Sequence, residues 1–158
     1  MDKQLKLNLS LPLLLLATSA NACDTTALQL NLASKHFSDV RQETKFNEQN
    51  PGLGLVCHYS ERADILVGAY RNSYNRDTAY IIHRHFSRTG PASFGISYGL
   101  ASGYQAIRGN QDGVIPTGFV DVSIDFASFT AMAIYAPSRL IAKDAADVLT
   151  VTLQFPLR

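Results

Sequence analysis

Several things are missing from this 158-residue chain. It has no apolar run long enough to cross a bilayer as a helix: the longest, from Leu11 to Ala17, falls far short of the roughly 20 residues required. It has no clustered basic excess, with 14 basic against 13 acidic residues, so nothing favours a nucleic-acid partner. From residue 23 onward no helix-length stretch shows a 3.6-residue period, although SRLIAKDAADV, 138–148, has room for one or two helical turns. Cysteine is scarce too, with two in the chain. His83 and His85 share a strand face, but no cysteine or acid at ligand spacing accompanies them, so no metal site or cofactor is implied.

What is present begins with a leader. Lys3 and Lys6 precede the apolar run, and Ala20-Asn21-Ala22 forms a small-x-small cleavage pattern, which together read as a secretory signal peptide over 1–22. The expected mature domain is 23–158. Without Lys3, Lys6 and Asp2 it carries 12 basic and 12 acidic residues, a net charge of zero. Cys23 lacks the leucine three positions back that lipid attachment calls for. In an exported chain, Cys23 and Cys57 permit one disulfide. A hairpin whose strands flank a 38–51 loop sets Cys57 opposite a residue near Asn31, too far from Cys23 for a bond unless the register shifts.

The dominant signal is alternation. In FGISYGLASGY, 94–104, Phe94, Ile96, Tyr98, Leu100 and Tyr104 share one face, and Gly95, Ser97, Gly99, Ala101 and Gly103 the other. The same two-faced pattern marks Leu28–Leu32, Val120–Phe126 and Leu149–Phe155, and weaker versions cover 52–60, 64–72, 78–86 and 129–136. These make eight strands and an all-β domain. The connections alternate in length: 38–51, 105–117 and 137–146 are long, 61–63 and the turn near Ala127 are short, and 73–77 and 87–92 lie between.

Long and short connections in turn, with strands of about 8 to 11 residues, are the signature of an eight-stranded antiparallel up-and-down barrel of the outer-membrane type. Its lumen is too narrow for anything but small or mutually paired polar side chains. A soluble barrel or sandwich alternates as well, with its apolar face turned inward. The Gly-rich second face of 94–104 favours the membrane barrel, since a solvated face would carry more Lys, Glu and Thr. Phe155-Pro156-Leu157-Arg158 departs from the terminal aromatic residue such barrels usually use for assembly.

One constellation suggests chemistry. Ser34 and His36 extend the even-numbered row of Leu28, Leu30 and Leu32, so they are expected on the lipid-facing side at the outer end of the first strand, with Glu48 in the loop beyond. A serine hydroxyl becomes a nucleophile when a base takes its proton and an acid orients that base. Strand residues two apart point the same way, about 6.5 to 7 Å apart at Cα, within reach for Ser and His side chains. Asn50, Tyr70, Asn72 and Ser73 are expected beside them as substrate-binding groups; Tyr70, Asn72 and Ser73 are candidate oxyanion donors or turn caps. Arg71 and Arg76 are candidates for contact with lipid phosphates. His58-Tyr59-Ser60-Glu61 offers a competing His-x-Ser order at the opposite end of the barrel.

Ser34-Lys35-His36, Glu48 and the turn signal Asn50-Pro51-Gly52 resemble the outer-membrane lipid A deacylases. Those are small eight-stranded barrels with histidine and serine two apart on an outward strand face, followed by an Asn-Pro-Gly-like turn and a glutamate. Here serine precedes histidine, Phe37 stands where the family has asparagine, and Glu48 precedes the turn. The resemblance implies hydrolysis of an acyl ester of lipid A at the outer rim and lipopolysaccharide as the partner. The segments NEQNPGLG and GAYRNSYNR are also similar to uncharacterised exported barrel proteins of bacteria and phages, which imply no activity.

Overall fold

A computed structural model describes residues 23–37, 46–105, 113–137 and 146–157. The leader at 1–22 and most of the helical turn expected at 138–148 lie outside these. Eight strands follow in order: β1 (Thr25–His36), β2 (Gln49–Ser60), β3 (Ala63–Arg71), β4 (Asp77–Thr89), β5 (Ala92–Ala101), β6 (Ile115–Asp125), β7 (Thr130–Ala136) and β8 (Val148–Leu157). Each pairs antiparallel with its neighbours in sequence, and β1 pairs with β8 to close the ring.

The alternation settles which way each face points. Phe94, Ile96, Tyr98 and Leu100 of β5 and Val120, Val122 and Ile124 of β6 are exposed on the outer wall, as are Leu53, Ile65, Ile81 and Val151. The inner face carries Gln29, Asn31, Asp64, Arg84, Ser97, Asp121, Ser123, Thr152 and Gln154, all buried. A water-soluble barrel would place these sets the other way round. An apolar exterior around a hydrogen-bonded polar interior, with no open sheet edge, is the arrangement a bilayer demands. The protein is therefore built as a small barrel of the transmembrane type.

The glycines of the inner face make room for lumen side chains. A Cβ at Gly95 would come within 2.5 Å of the Asp121 carboxylate and 2.8 Å of Arg84 Nε. A Cβ at Gly68 would lie 2.6 Å from the Tyr80 hydroxyl. The small residues opposite large ones are thus what lets Arg84 and Tyr80 cross the lumen.

The two ends differ. Turns at 61–62, 90–91 and 126–129 are tight, whereas connections 37–48, 102–114 and 137–147 are long and 72–76 is intermediate. This matches the expected asymmetry, with 87–92 shortened to a turn at Gly90-Pro91.

Two expectations about the first hairpin are corrected. Asn50-Pro51-Gly52 is not a turn; it lies within β2. There the register slips between Asn31↔Gly52 and Ala33↔Gln49, so that Leu32 faces Asn50 and Pro51 together. Such a bulge tolerates a proline, which has no N–H to offer the ladder. Because β2 begins earlier than expected, Cys57 sits opposite Thr26 instead of near Asn31. Cys23 and Cys57 are then 5.2 Å apart at Cα and form a disulfide.

Candidate functional site in the loop-side half of the lumen

A second irregularity, on the β8 side, decides where Ser34 points: between Asn31↔Thr152 and Ala33↔Val151, Leu32 is an extra residue on β1. Leu32 and Ala33 are both exposed, and the inward parity resumes one residue later with Ser34. Ser34 and His36 were expected on the lipid-facing row; they face the lumen instead, because the extra residue inverts the period-two count. Ser34 is 8% exposed, and its hydroxyl donates to Asn50 Oδ1 at 2.5 Å. Asn50 Nδ2 in turn donates to the Arg71 carbonyl at 2.9 Å.

His36 stacks on Phe46, ring centroids 4.3 Å apart, and its Nδ1 is buried without a hydrogen-bond partner among the described residues. Glu48 makes no side-chain hydrogen bond to the His36 ring and pairs instead with Lys35 at 2.9 Å. The hydrogen bond from Lys35 holds the Glu48 carboxyl below its ordinary range. The backbone nonetheless ties the two segments together, since the Ser34 N–H donates to the Glu48 carbonyl at 2.9 Å.

Of the expected substrate-binding residues, Asn50, Tyr70 and Ser73 join Ser34 and His36 in lining one cavity of about 180 Å³. Asn72 does not line it. Fully buried, it donates to Thr78 Oγ1 and the Gly103 carbonyl and accepts from the backbone N–H groups of Tyr74 and Arg76. It is the cap of the β3–β4 turn, in which Asn75 takes a left-handed conformation at φ 59°. Arg71 pairs with Asp77 at 2.9 Å.

Sequence reasoning missed the aromatic lining. From His36 the rings continue edge to face through Phe46, Tyr74 and Tyr104, and the Tyr104 hydroxyl meets that of Tyr70 at 2.6 Å. Burial pushes the Tyr104 hydroxyl above its ordinary pKa, so it stays un-ionised. Only Tyr70 and Tyr104 had been singled out, and Tyr104 with the outward set of 94–104; it lies past the end of β5, where the face count no longer applies.

The cavity stops at a polar floor. Arg84, on β4, donates through Nε and Nη2 to Asp121 Oδ1 at 3.0 and 2.6 Å and through Nη1 to Asp64 Oδ2 at 3.3 Å. Ser123 accepts from Nη2 at 3.3 Å, and the Phe86 ring lies 4.5 Å from the guanidinium carbon. Asp64 Oδ1 also accepts from His58 Nδ1 at 2.6 Å. Thus His58 is part of the floor, while Ser60 accepts from the Arg62 N–H in the following turn. On the outer wall, Tyr59 is hydrogen-bonded to His83, whose ring meets that of His85 edge to face at 4.4 Å.

The fold and this filled lumen define the class: a small, eight-stranded barrel of the outer-membrane type. Two solved structures are similar to it. A chain from a de novo design of transmembrane β-barrels aligns with a TM-score of 0.59 at 8% identity, covering 85% of this chain and 97% of the design. The N-terminal β-barrel domain of Pseudomonas aeruginosa OprF aligns with a TM-score of 0.51 at 10% identity, covering 85% and 98%. At such identities the likeness is one of fold. No family model matches the sequence, and no curated protein matches it.

Proposed function

We propose that this protein is exported and resides in the bacterial outer membrane as a barrel that does not conduct. The observation that carries this is the pairing of a continuous apolar outer wall with an Arg84-centred network spanning the lumen. The leader over 1–22 and the disulfide fit an exported chain. The test combines cell fractionation with reconstitution. The mature chain is expected in the outer-membrane fraction, with gel mobility that changes on boiling and no channel steps in a planar bilayer. Recovery wholly in the soluble periplasmic fraction would overturn the reading. Sidedness follows from loop length: a cysteine at Arg76 reacts with an impermeant thiol reagent on whole cells, and one at Arg62 does not.

A second reading keeps the chemistry of Ser34, His36 and Glu48 on an acyl ester of lipid A. What supports it is that Ser34 and His36 line one cavity with Asn50, Tyr70 and Ser73. It requires Ser34 to exchange its Asn50 acceptor for His36, and Glu48 to leave Lys35. Mass spectrometry of lipid A from cells making wild type, Ser34→Ala or Ser60→Ala decides it. Loss of an acyl chain with wild type and Ser60→Ala, but not Ser34→Ala, supports the reading; identical lipid A throughout removes it.

A further inference from the structure

The upper lumen has a property that neither membrane residence nor hydrolysis requires. Between the aromatic rim and the polar floor, the cavity wall is largely apolar, with Phe119, Met132 and Ile134 on one side and Leu66 and Ile82 on the other. Two polar side-chain atoms along this wall, His36 Nδ1 and Thr152 Oγ1, are buried and make no hydrogen bond among the described residues. Thr152 is 1% exposed. A buried polar atom without a partner costs free energy and marks a place where a ligand group can supply one.

Their spacing gives the shape of that ligand. On the β1–β8 ladder His36 lies opposite Val148 and Thr152 opposite Asn31, four residues further along β8, or about 13 Å at the usual strand rise. The site is therefore long and narrow. The guanidinium of Arg84 at its floor is fully engaged, by two carboxylates and a hydroxyl. A ligand carboxylate brought into the shaft would meet Asp64 and Asp121, with no free cation among the described lining residues to offset it.

We propose that the loop-side half of the lumen binds a neutral amphiphile with an unbranched aliphatic body, its hydroxyl or carbonyl group bonded to His36 and its chain running down toward Thr152. The neutral imidazole serves either polarity, because its tautomer can present Nδ1 as donor or acceptor. Phe46, stacked on the ring, fixes its orientation.

The test uses the full mature chain refolded in a fluorinated surfactant, so that detergent alkyl chains do not compete, and titrated with 1-octanol or n-octane. Octanol is expected to shift the amide resonances of Ala136, Val148 and Thr150 and to bind about fivefold more tightly than octane, the size of one neutral hydrogen bond. His36→Phe, which keeps the stack on Phe46, is expected to bring the two affinities together. Ala136→Phe and Ala101→Phe are independent ways to fill the shaft; either, when folded by its heat-dependent gel mobility, is expected to abolish both titrations. The proposal is overturned if octanol shifts only outward residues such as Leu100 and Val120, if the filled variants titrate like wild type, or if His36→Phe keeps the preference for octanol. No response to either probe overturns it as well.

Discussion

The two halves of the lumen solve one packing problem in opposite ways. Toward the tight turns, the interior is filled by charge: Arg84, Asp64, Asp121 and His58 form a closed network with Ser123, and Phe86 lies beneath the guanidinium. Toward the long connections, it is lined by rings and aliphatic groups around a cavity, with two polar atoms left over. Buried ion pairs rigidify only when every member is satisfied, because each unpaired charge in a low-dielectric interior is expensive. Rings and methyl groups exact no such condition and tolerate empty space beside them. The lower half thus behaves as structure, and the upper half is the part free to differ without unfolding the barrel.

Substitutions can break this contrast directly. Arg84→Met leaves Asp64 and Asp121 buried without their cation and is expected to cost about 3–5 kcal/mol in urea unfolding of the refolded barrel, or to prevent refolding. A loss under about 1 kcal/mol would mean that the floor does not differ in kind from the shaft. Next in size is the disulfide, at the same end. Replacing Cys23 and Cys57 by serine opens a cross-link spanning a sequence separation of 34 and is expected to cost about 3–4 kcal/mol on the chain-entropy account. Equal unfolding midpoints for wild type with and without reductant would contradict this.

In the upper half the expected effects shrink. Ser34→Ala deprives Asn50 Oδ1 of its donor while Asn50 keeps its bond to Arg71, so about 1–2 kcal/mol is expected by the same unfolding assay. A loss as large as that of Arg84→Met would erase the distinction. The smallest effect belongs to Glu48, exposed and paired with Lys35. Its folded-state pKa is lowered, so its contribution is present above the ordinary carboxylate value and is lost as pH falls through the folded one. Glu48→Gln should lower stability at neutral pH by no more than the small amount wild type loses on acidification, and should flatten that decline. A larger loss at neutral pH would show that Glu48 does more than hold Lys35.

How much of this was legible follows from the range over which each feature is encoded. Alternation is a property of a single strand, so Phe94 to Leu100 reveals its two faces without knowledge of any partner. Connection lengths are local too, and together they gave the barrel. Register is not local. The bulge at Leu32 depends on what β2 and β8 place beside β1, and one extra residue was enough to move Ser34 and His36 from the lipid side to the lumen; the earlier start of β2 hid the Cys23–Cys57 bond. The floor is less local again: Arg84 and Asp121 are 37 residues apart and on strands that are not neighbours, and they meet over Gly95 of the strand between them. Asn50-Pro51-Gly52 misled for a related reason, since its composition suits a turn but here fits a bulge.

The disulfide bears on the order of assembly. β1 pairs with β2 across a short stretch of chain, but its other edge waits for β8, whose partners are more than a hundred residues away; Gln29 and Gln154, hydrogen-bonded in the finished ring, are separated by 125. Bringing such distant segments together is the slow, entropically opposed part of making a sheet. A covalent tie between Cys23 and Cys57 holds β1 in register on β2 at the tight-turn end before that encounter. The last strand then arrives at an edge already set, and an oxidising compartment becomes a condition for closing the ring promptly.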